Sequence, residues 1–325
     1  MPRRGNKKRR RRSRRSPESS AARDRAKQLL RRGGESLERG ERSAGIAAIE
    51  EALTADPTFV EPALVLARLR DEDGDDVIAD ALVEEAVRRG AAAIDTIPGR
   101  PGRQPHWWRD EATRPYLKSL VARGWRRLDR NEPQAAAEQF AKVFEMTEAE
   151  EDPLLAGVFA AEAWLYAAMP TAALDAYARL VEGPDVCYGR GLALLASGQT
   201  RAATVSLWLG VLLNAWVAEA VLGTDRLAGV DRSHFVGDPS EAEELVGRIG
   251  ELWTEPACEL LARLLGDVEF CREMERWALL ARSLDEAETA QRERQLLAEI
   301  ERFLDSERIE REVDGLRQRL DGPRG

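Results

Sequence analysis

The chain has 325 residues, 43% apolar and 33% charged, with a formal net charge of −9. That length holds two ordinary domains or one long solenoid, and the apolar and charged mixture fits a helix-rich protein with a packed core. Three cysteines with no CxxC pair, and only two histidines, argue against a disulfide framework and meet no zinc or iron ligand spacing, so a reducing compartment, the cytoplasm, is expected.

The first stretch is the most basic. Residues 1–15 carry ten cations (Arg3, Arg4, Lys7, Lys8, Arg9, Arg10, Arg11, Arg12, Arg14 and Arg15) and no acid, leaving 39 bases against 58 acids in residues 16–325. A run of like charges cannot collapse into a core, so residues 1–20 are expected to form a disordered basic tail. No apolar stretch follows it, as a signal peptide would require. Such a tail has the charge to hold a polyanion by counterion release, whether nucleic acid, a ribosome or an anionic membrane surface, or to lie on its own acidic body. No aromatic residue interleaves the arginines, so no base-stacking signature is present.

Residues 17–23, PESSAAR, read as a polar hinge, and residues 21–93 as N-terminal helical hairpins. The first pair is predicted over Asp24–Leu37 and Ser43–Ala55, with Gly40 in the tight turn and Pro57 beyond the second helix. The second is predicted over Phe59–Leu69 and Asp76–Arg89, with DEDGDD, residues 71–76, as a solvated loop. Asp71, Asp73 and Asp75 match the opening of a calcium loop, but Asp76 and Leu82 stand where that loop needs Gly and Glu. Residues 94–112 read as a Pro/Gly/Trp linker, because prolines at this density disfavour helix.

Residues 113–254 read as a second helical array. Three matching blocks supply Gly124, Asn131, Ala136 and Phe140; then Ala161, Trp164, Ala173, Tyr177 and Leu180; then Gly191, Leu194, Gly198, Ala203 and Leu207. The small residues are expected to let paired helices cross closely, and Phe140, Tyr177 and Leu207 to fill the gap to the neighbouring repeat. Residues 204–223 have the length of a membrane span, but Asn214 and Glu219 disfavour one, and a turn at Asn214–Ala215 divides the run into two helices. Glu162, inside an apolar helix, calls for an ion pair or an exposed edge. A helix is predicted from Ser240, where Ser-x-x-Glu resembles a capping box with Glu243. Residues 255–325 read as C-terminal helices: one or two over 256–283, then one long charged helix from Asp285. Its stripes, Leu297, Ile300, Leu304 and then Ile309, Val313, Leu316, Leu320, suit a cap on the array or a coiled-coil dimer helix.

Residues 26–59 resemble the 34-residue tetratricopeptide repeat at Gly33, Gly40, Ala52, Leu53, Asp56 and Pro57, and the three later blocks resemble it too. Residues 107–120, WWRDEATRPYLKSL, further resemble a signature of tetratricopeptide-like proteins of the suppression-of-tumorigenicity type and their bacterial relatives, at Trp107, Trp108, Thr113, Arg114, Pro115, Tyr116, Leu117 and Lys118. LLNAWVAEAVLG and VGDPSEAEELVGRIGELWTEP resemble later segments of the same family, so the likeness covers roughly residues 105–265. The resemblance implies an all-α fold, an α-solenoid of stacked helix-turn-helix hairpins with a basic tail and a C-terminal helical cap. It implies a non-enzymatic scaffold, without a cofactor, that binds a partner peptide or helix of unknown identity on its first helices. On that register Lys118, Val121, Trp125 and Tyr188 are groove candidates. Trp107, Trp108, Arg114 and Tyr116 either pack the linker onto the array or form a binding pocket at its mouth.

Thr113 is expected as a helix N-cap, with Pro115 in the first turn and Arg114 reaching a carboxylate of the preceding hairpin. No phosphate loop, dinucleotide fingerprint, zinc motif or nucleophile elbow occurs, so no catalysis is expected. The alternative reading is a nucleic-acid- or ribosome-associated adaptor tethered through the basic tail.

Overall fold

The computed structural model describes residues 17–95, 107–147, 152–223, 230–287 and 289–321. The arginines and lysines of residues 1–15, and residues 96–106 of the expected linker, lie outside them. Among the described residues there are sixteen α-helices and no strand. The chain divides into two compact units, residues 1–156 and 157–325, a division that falls inside the segment read as one array.

Unit 1 contains α1 (Pro17–Glu38), α2 (Arg42–Ala55), α3 (Glu61–Glu72), α4 (Asp76–Asp95), α5 (Arg114–Asp129) and α6 (Pro133–Thr147). They pair as three hairpins, α1–α2, α3–α4 and α5–α6. The expected hinge over residues 17–23 is helical instead: Pro17 opens α1, where its missing N–H costs nothing. Arg23 then fixes that first stretch, its Nε 2.8 Å from Asp56 and its guanidinium 4.6 Å over the Phe59 ring.

Unit 2 opens with two more hairpins, α7 (Ala156–Tyr166) with α8 (Pro170–Tyr177) and α9 (Pro184–Ala196) with α10 (Thr200–Leu213). It continues through α11 (Trp216–Leu222), α12 (Pro239–Ile249), α13 (Glu255–Leu265), α14 (Val268–Asp285), α15 (Ala290–Phe303) and α16 (Ser306–Asp321). Proline stands at the first position of α6, α8, α9 and α12, so the sequence itself marks where these helices begin.

One register runs through all five hairpins. Each has a small residue in its first helix, a turn residue seven positions on, a small residue after twelve and a large apolar one after sixteen. The sets are Gly33, Gly40, Gly45, Ile49; Ala67, Gly74, Ala79, Val83; Gly124, Asn131, Ala136, Phe140; Ala161, Ala168, Ala173, Tyr177; and Gly191, Gly198, Ala203, Leu207. The small and large members are buried in every set. The turn residue is left-handed each time, with φ of 79°, 78°, 59°, 55° and 74° in that order.

The same two backbone bonds close each turn: Gly40 N–H donates to Leu37 O and Glu41 N–H to Ser36 O, and the other four turns repeat the pattern. This is the Schellman arrangement, which satisfies carbonyls that a helix end otherwise leaves without partners.

The register explains the packing. A Cβ on Gly33 would sit 2.5 Å from Ile49, one on Gly191 would sit 2.7 Å from Leu207, and one on Gly124 would enter the Phe140 ring. Phe140 and Leu207 therefore fill space within their own hairpins, and Leu207 also joins the apolar cluster shared with the helices that follow. Tyr177 does reach the next hairpin, its ring lying against Gly189 of α9. Burying such a side chain fully contributes about 1.5–3 kcal/mol.

Several expected details are corrected. The acidic turn of residues 71–76 is more than a solvated loop. Its carboxylates meet arginines, Asp73 with Arg42 at 2.6 Å, Asp76 with Arg126 at 2.8 Å, and Asp71 also with Arg126. Asp238, not Ser240, caps α12, its carboxylate accepting from the Ser240 N–H at 2.7 Å. The long C-terminal helix is two helices, broken at Leu304–Asp305, where Asp305 accepts from the Arg308 N–H at 2.9 Å and starts α16.

Ile309, Val313 and Leu316 of α16 are completely buried inside unit 2, and Arg201 of α10 pairs with Asp314 at 2.7 Å, so α16 packs on the α9–α10 hairpin. Between α10 and α11 the chain bends by 112° at Asn214–Ala215. Among the described residues no single helix is long and apolar enough to cross a membrane.

Candidate functional site

The register defines one face on the first helix of each hairpin, six and three positions before the small residue and one after it. In unit 1 that face carries Lys27, Leu30 and Gly34 on α1, Glu61, Leu64 and Arg68 on α3, and Lys118, Val121 and Trp125 on α5. None of these nine is buried, and Lys27, Arg68 and Lys118 are exposed. Trp125 leans edge-on against Phe140, ring centroids 5.4 Å apart, with part of its surface open. Lys27 and Lys118 have no carboxylate partner among the described residues.

At the start of α5 the aromatic signature is a structural clasp. The Thr113 side chain does not cap the helix. It bonds back to the carbonyls of Asp110, at 2.7 Å, and Trp107. Arg114 does not reach a carboxylate of the preceding hairpin. Its Nε donates to the Trp108 carbonyl at 2.7 Å, and its guanidinium lies 5.1 Å over the Trp108 ring. Trp107 packs on Tyr116 at 6.3 Å, and Tyr116 lies on Gly90 of α4 so closely that a Cβ there would meet it at 2.8 Å.

Beside this clasp is a cleft of about 320 Å³ lined by Arg23, Lys27, Phe59, Glu61, Pro115 and Tyr116, among others. One carboxylate oxygen of Glu61 is buried without a hydrogen-bond partner among the described residues.

In unit 2 the equivalent positions are Val158 and Glu162 on α7, and Asp185, Tyr188 and Leu192 on α9; the remaining position, Leu155, precedes α7 and is exposed. Here Val158, Glu162, Tyr188 and Leu192 are all buried. The groove assignment of Tyr188 is therefore corrected: it has no exposed surface, and its hydroxyl donates to the Asn214 carbonyl at 2.9 Å.

What covers this face is the chain itself. Ala242, Leu245 and Ile249 of α12 lie in one apolar cluster with Tyr188 and Leu192, flanked by Leu165 and Leu195. Trp253, just beyond α12, meets the Tyr188 ring edge-on at 5.9 Å.

The polar centre of that contact is Arg248 of α12. Its guanidinium donates to both oxygens of Glu162, at 3.2 Å each, and to Asp185, and it lies 5.6 Å over the Phe159 ring. The Tyr166 hydroxyl donates to the Arg248 carbonyl. Two carboxylates thus share one guanidinium. Burial pushes the Glu162 carboxyl from its ordinary 4.5 up to about 7, against the pull of Arg248 and with Asp185 adding to the rise.

The sequence singled out Glu162 and expected an ion pair. It gave no sign of Arg248 or Asp185, which lie 86 and 23 positions away and look like ordinary surface charges.

No protein-family model matches the chain, and no curated protein matches it.

Proposed function

We propose that this chain is a non-enzymatic interaction scaffold with a tetratricopeptide-like hairpin register, and that the unit 1 face takes a helix or extended peptide from another protein. One observation carries the reading. Register positions that unit 2 buries at Val158, Glu162, Tyr188 and Leu192 are left open in unit 1, with Leu30, Leu64, Val121 and Trp125 half-buried between the cations Lys27, Arg68 and Lys118. Half-buried apolar and aromatic side chains rimmed by charge form the pattern of a docking surface. The cations favour a partner whose polar side chains are carboxylates.

Lys118→Glu tests this. Lys118 is exposed and makes no ion pair among the described residues, so the fold should be unaffected. Partner capture should fall by about tenfold through charge reversal. Undiminished capture by a folded variant would remove the α5 face from the reading.

The ten cations of residues 1–15 support a second reading, an adaptor that also holds a nucleic acid or ribosome. The whole chain should bind RNA with a steep salt dependence that residues 16–325 lack. Equal salt slopes for both would eliminate it.

A further inference from the structure

Unit 2 contains a helix seated on a face that the hairpin register builds in both units, and the way it is seated is informative. The segment from Val236 to Trp253 behaves as a strap that packs along α11 and reaches this face through Arg248, Trp253 and the apolar side of α12. At its entry, the Ala215 N–H donates to the Val236 carbonyl at 3.1 Å and the Asn214 amide to the Asp238 carbonyl at 3.0 Å. At its exit, Trp253 rests on Tyr188. Between them the α12 helix presents three apolar residues at a spacing of three and four, Ala242, Leu245 and Ile249, with Arg248 beside the last.

That combination of an apolar stripe and one charged reading residue is how an amphipathic helix is recognised in a groove. The strap is also connected at both ends by non-helical chain: Phe235 and Val236 before it, then a short 3₁₀ turn and Trp253–Thr254 after it. Gly237, at φ 101°, adopts a conformation that L side chains rarely take and leaves no room for a Cβ against Asn214.

The seat is not ideally satisfied. The Tyr177 hydroxyl and the Trp253 indole N–H are buried without hydrogen-bond partners among the described residues, and each such group costs stability. The guanidinium is shared by two carboxylates, one of which burial has already driven toward neutrality. A buried ion pair of this kind selects a register more effectively than it stabilises a fold.

We propose that the α7–α9 face is a helix-docking groove whose resident ligand is α12, and that a partner helix presenting an arginine beside an apolar stripe exchanges with it. Glu162 and Asp185 are the reading residues: they admit a guanidinium and reject a carboxylate at that point of the groove. The apolar floor of Tyr188, Leu192, Leu165 and Leu195 accepts the stripe. The partner class follows from the resident, namely an amphipathic helix with a single basic residue on the edge of its apolar side. This groove is distinct from the unit 1 face, whose cations call for the opposite charge, and the inference stands independently of that face.

The test uses the full chain, a fluorescent peptide of residues 236–254 and a second peptide with Arg248→Glu. The full-length Arg248→Glu variant places three carboxylates together at the seat and should release α12. It should bind the unaltered peptide at least tenfold more tightly than the unchanged protein does, and the altered peptide should not bind. Hydrogen exchange on the unchanged protein should show the amides of α12 opening faster than those of Ala203–Leu212 in α10. Three results would each overturn the proposal: α12 amides as protected as those of α10, a folded Arg248→Glu variant that does not take up the peptide, or loss of the helical signal of unit 2 in that variant. The last would mean that α12 belongs to the core and not to the groove.

Discussion

Units 1 and 2 build the same face from the same register and treat it oppositely. In unit 1 the positions flanking each small residue stay open and lean basic; in unit 2 Val158, Glu162, Tyr188 and Leu192 are buried with Asp185 half-buried beside them, and α12 supplies both apolar cover and the neutralising guanidinium. The backbone rule is shared, so the difference lies in three or four side chains. Lys118 and Trp125 of α5 correspond to Leu155, just before α7, and Glu162 of α7, and to Asp185 and Leu192 of α9. A hairpin register therefore specifies a surface without specifying its occupant, and the charge on that surface decides which kind of helix it accepts.

The largest expected effect comes from breaking the covered side. Arg248→Ala leaves Glu162, with 4% of its side chain exposed, without its cation. Removing one partner of a buried pair costs about 3–5 kcal/mol, and that cost should appear at pH 8. At pH 5.5 the loss should be much smaller, because a protonated glutamic acid is far cheaper to bury than a glutamate.

The unchanged protein carries the same signature. Glu162 rises from 4.5 to about 7 on folding, so the folded state binds its proton more tightly than the unfolded state. Its contribution to stability is fully present below the unfolded value and is lost as pH rises through 7. The groups facing it are Arg248 of α12, Asp185 of α9, Tyr177 of α8 and, through Tyr166, Glu251; none of them replaces the lost proton with a second cation. Urea unfolding at the two pH values measures the difference, and Glu162→Gln should flatten it. An equal loss for Arg248→Ala at both pH values would show that Glu162 is not the buried group.

Lys118→Glu is the mirror experiment on the open side. It should leave urea unfolding where it was and lower partner affinity by about tenfold, or 1.4 kcal/mol. If it lowered stability instead, the unit 1 face would be structural like that of unit 2, and the contrast between the units would fall.

The hairpins were legible in the sequence wherever glycine or aromatic markers stood at register positions. Gly33, Gly124 with Phe140, and Gly191 with Leu207 each announce a close helix crossing, because a helix can approach that nearly only where a Cβ is missing. The α3–α4 hairpin uses Ala67, Ala79 and Val83, residues that any helix contains, so its helices were visible but its register was not. The break at Leu304–Asp305 was written as a step of five between Leu304 and Ile309, a spacing that one straight helix cannot keep on a single face. The covered groove was not legible. Tyr188 looks like a groove residue in its own helix, and its burial depends on α12, which begins 51 positions later with nothing in its composition to show where it docks. Long-range pairing of this kind leaves no local periodicity to read.

The smallest expected effect compares the turns of the two units. Unit 1 closes its hairpins with Gly40, Gly74 and Asn131, the residue types that tolerate a left-handed backbone, and unit 2 closes α9–α10 with Gly198. Only α7–α8 departs, placing Ala168 at φ 55° with the same pair of Schellman bonds, from Ala168 N–H to Leu165 O and from Met169 N–H to Trp164 O. An L-residue with a Cβ pays roughly 1–2 kcal/mol for that conformation, and glycine avoids it at the cost of more freedom lost on folding. Ala168→Gly should therefore stabilise unit 2 by about 1 kcal/mol, seen as a higher urea midpoint with an unchanged slope. Gly40→Ala, at the equivalent turn of unit 1, should lower stability by a similar amount. Opposite signs at two equivalent turns would establish that the five hairpins obey one backbone rule, with the two units differing in what covers their faces. A loss from Ala168→Gly would place the α7–α8 turn outside that rule.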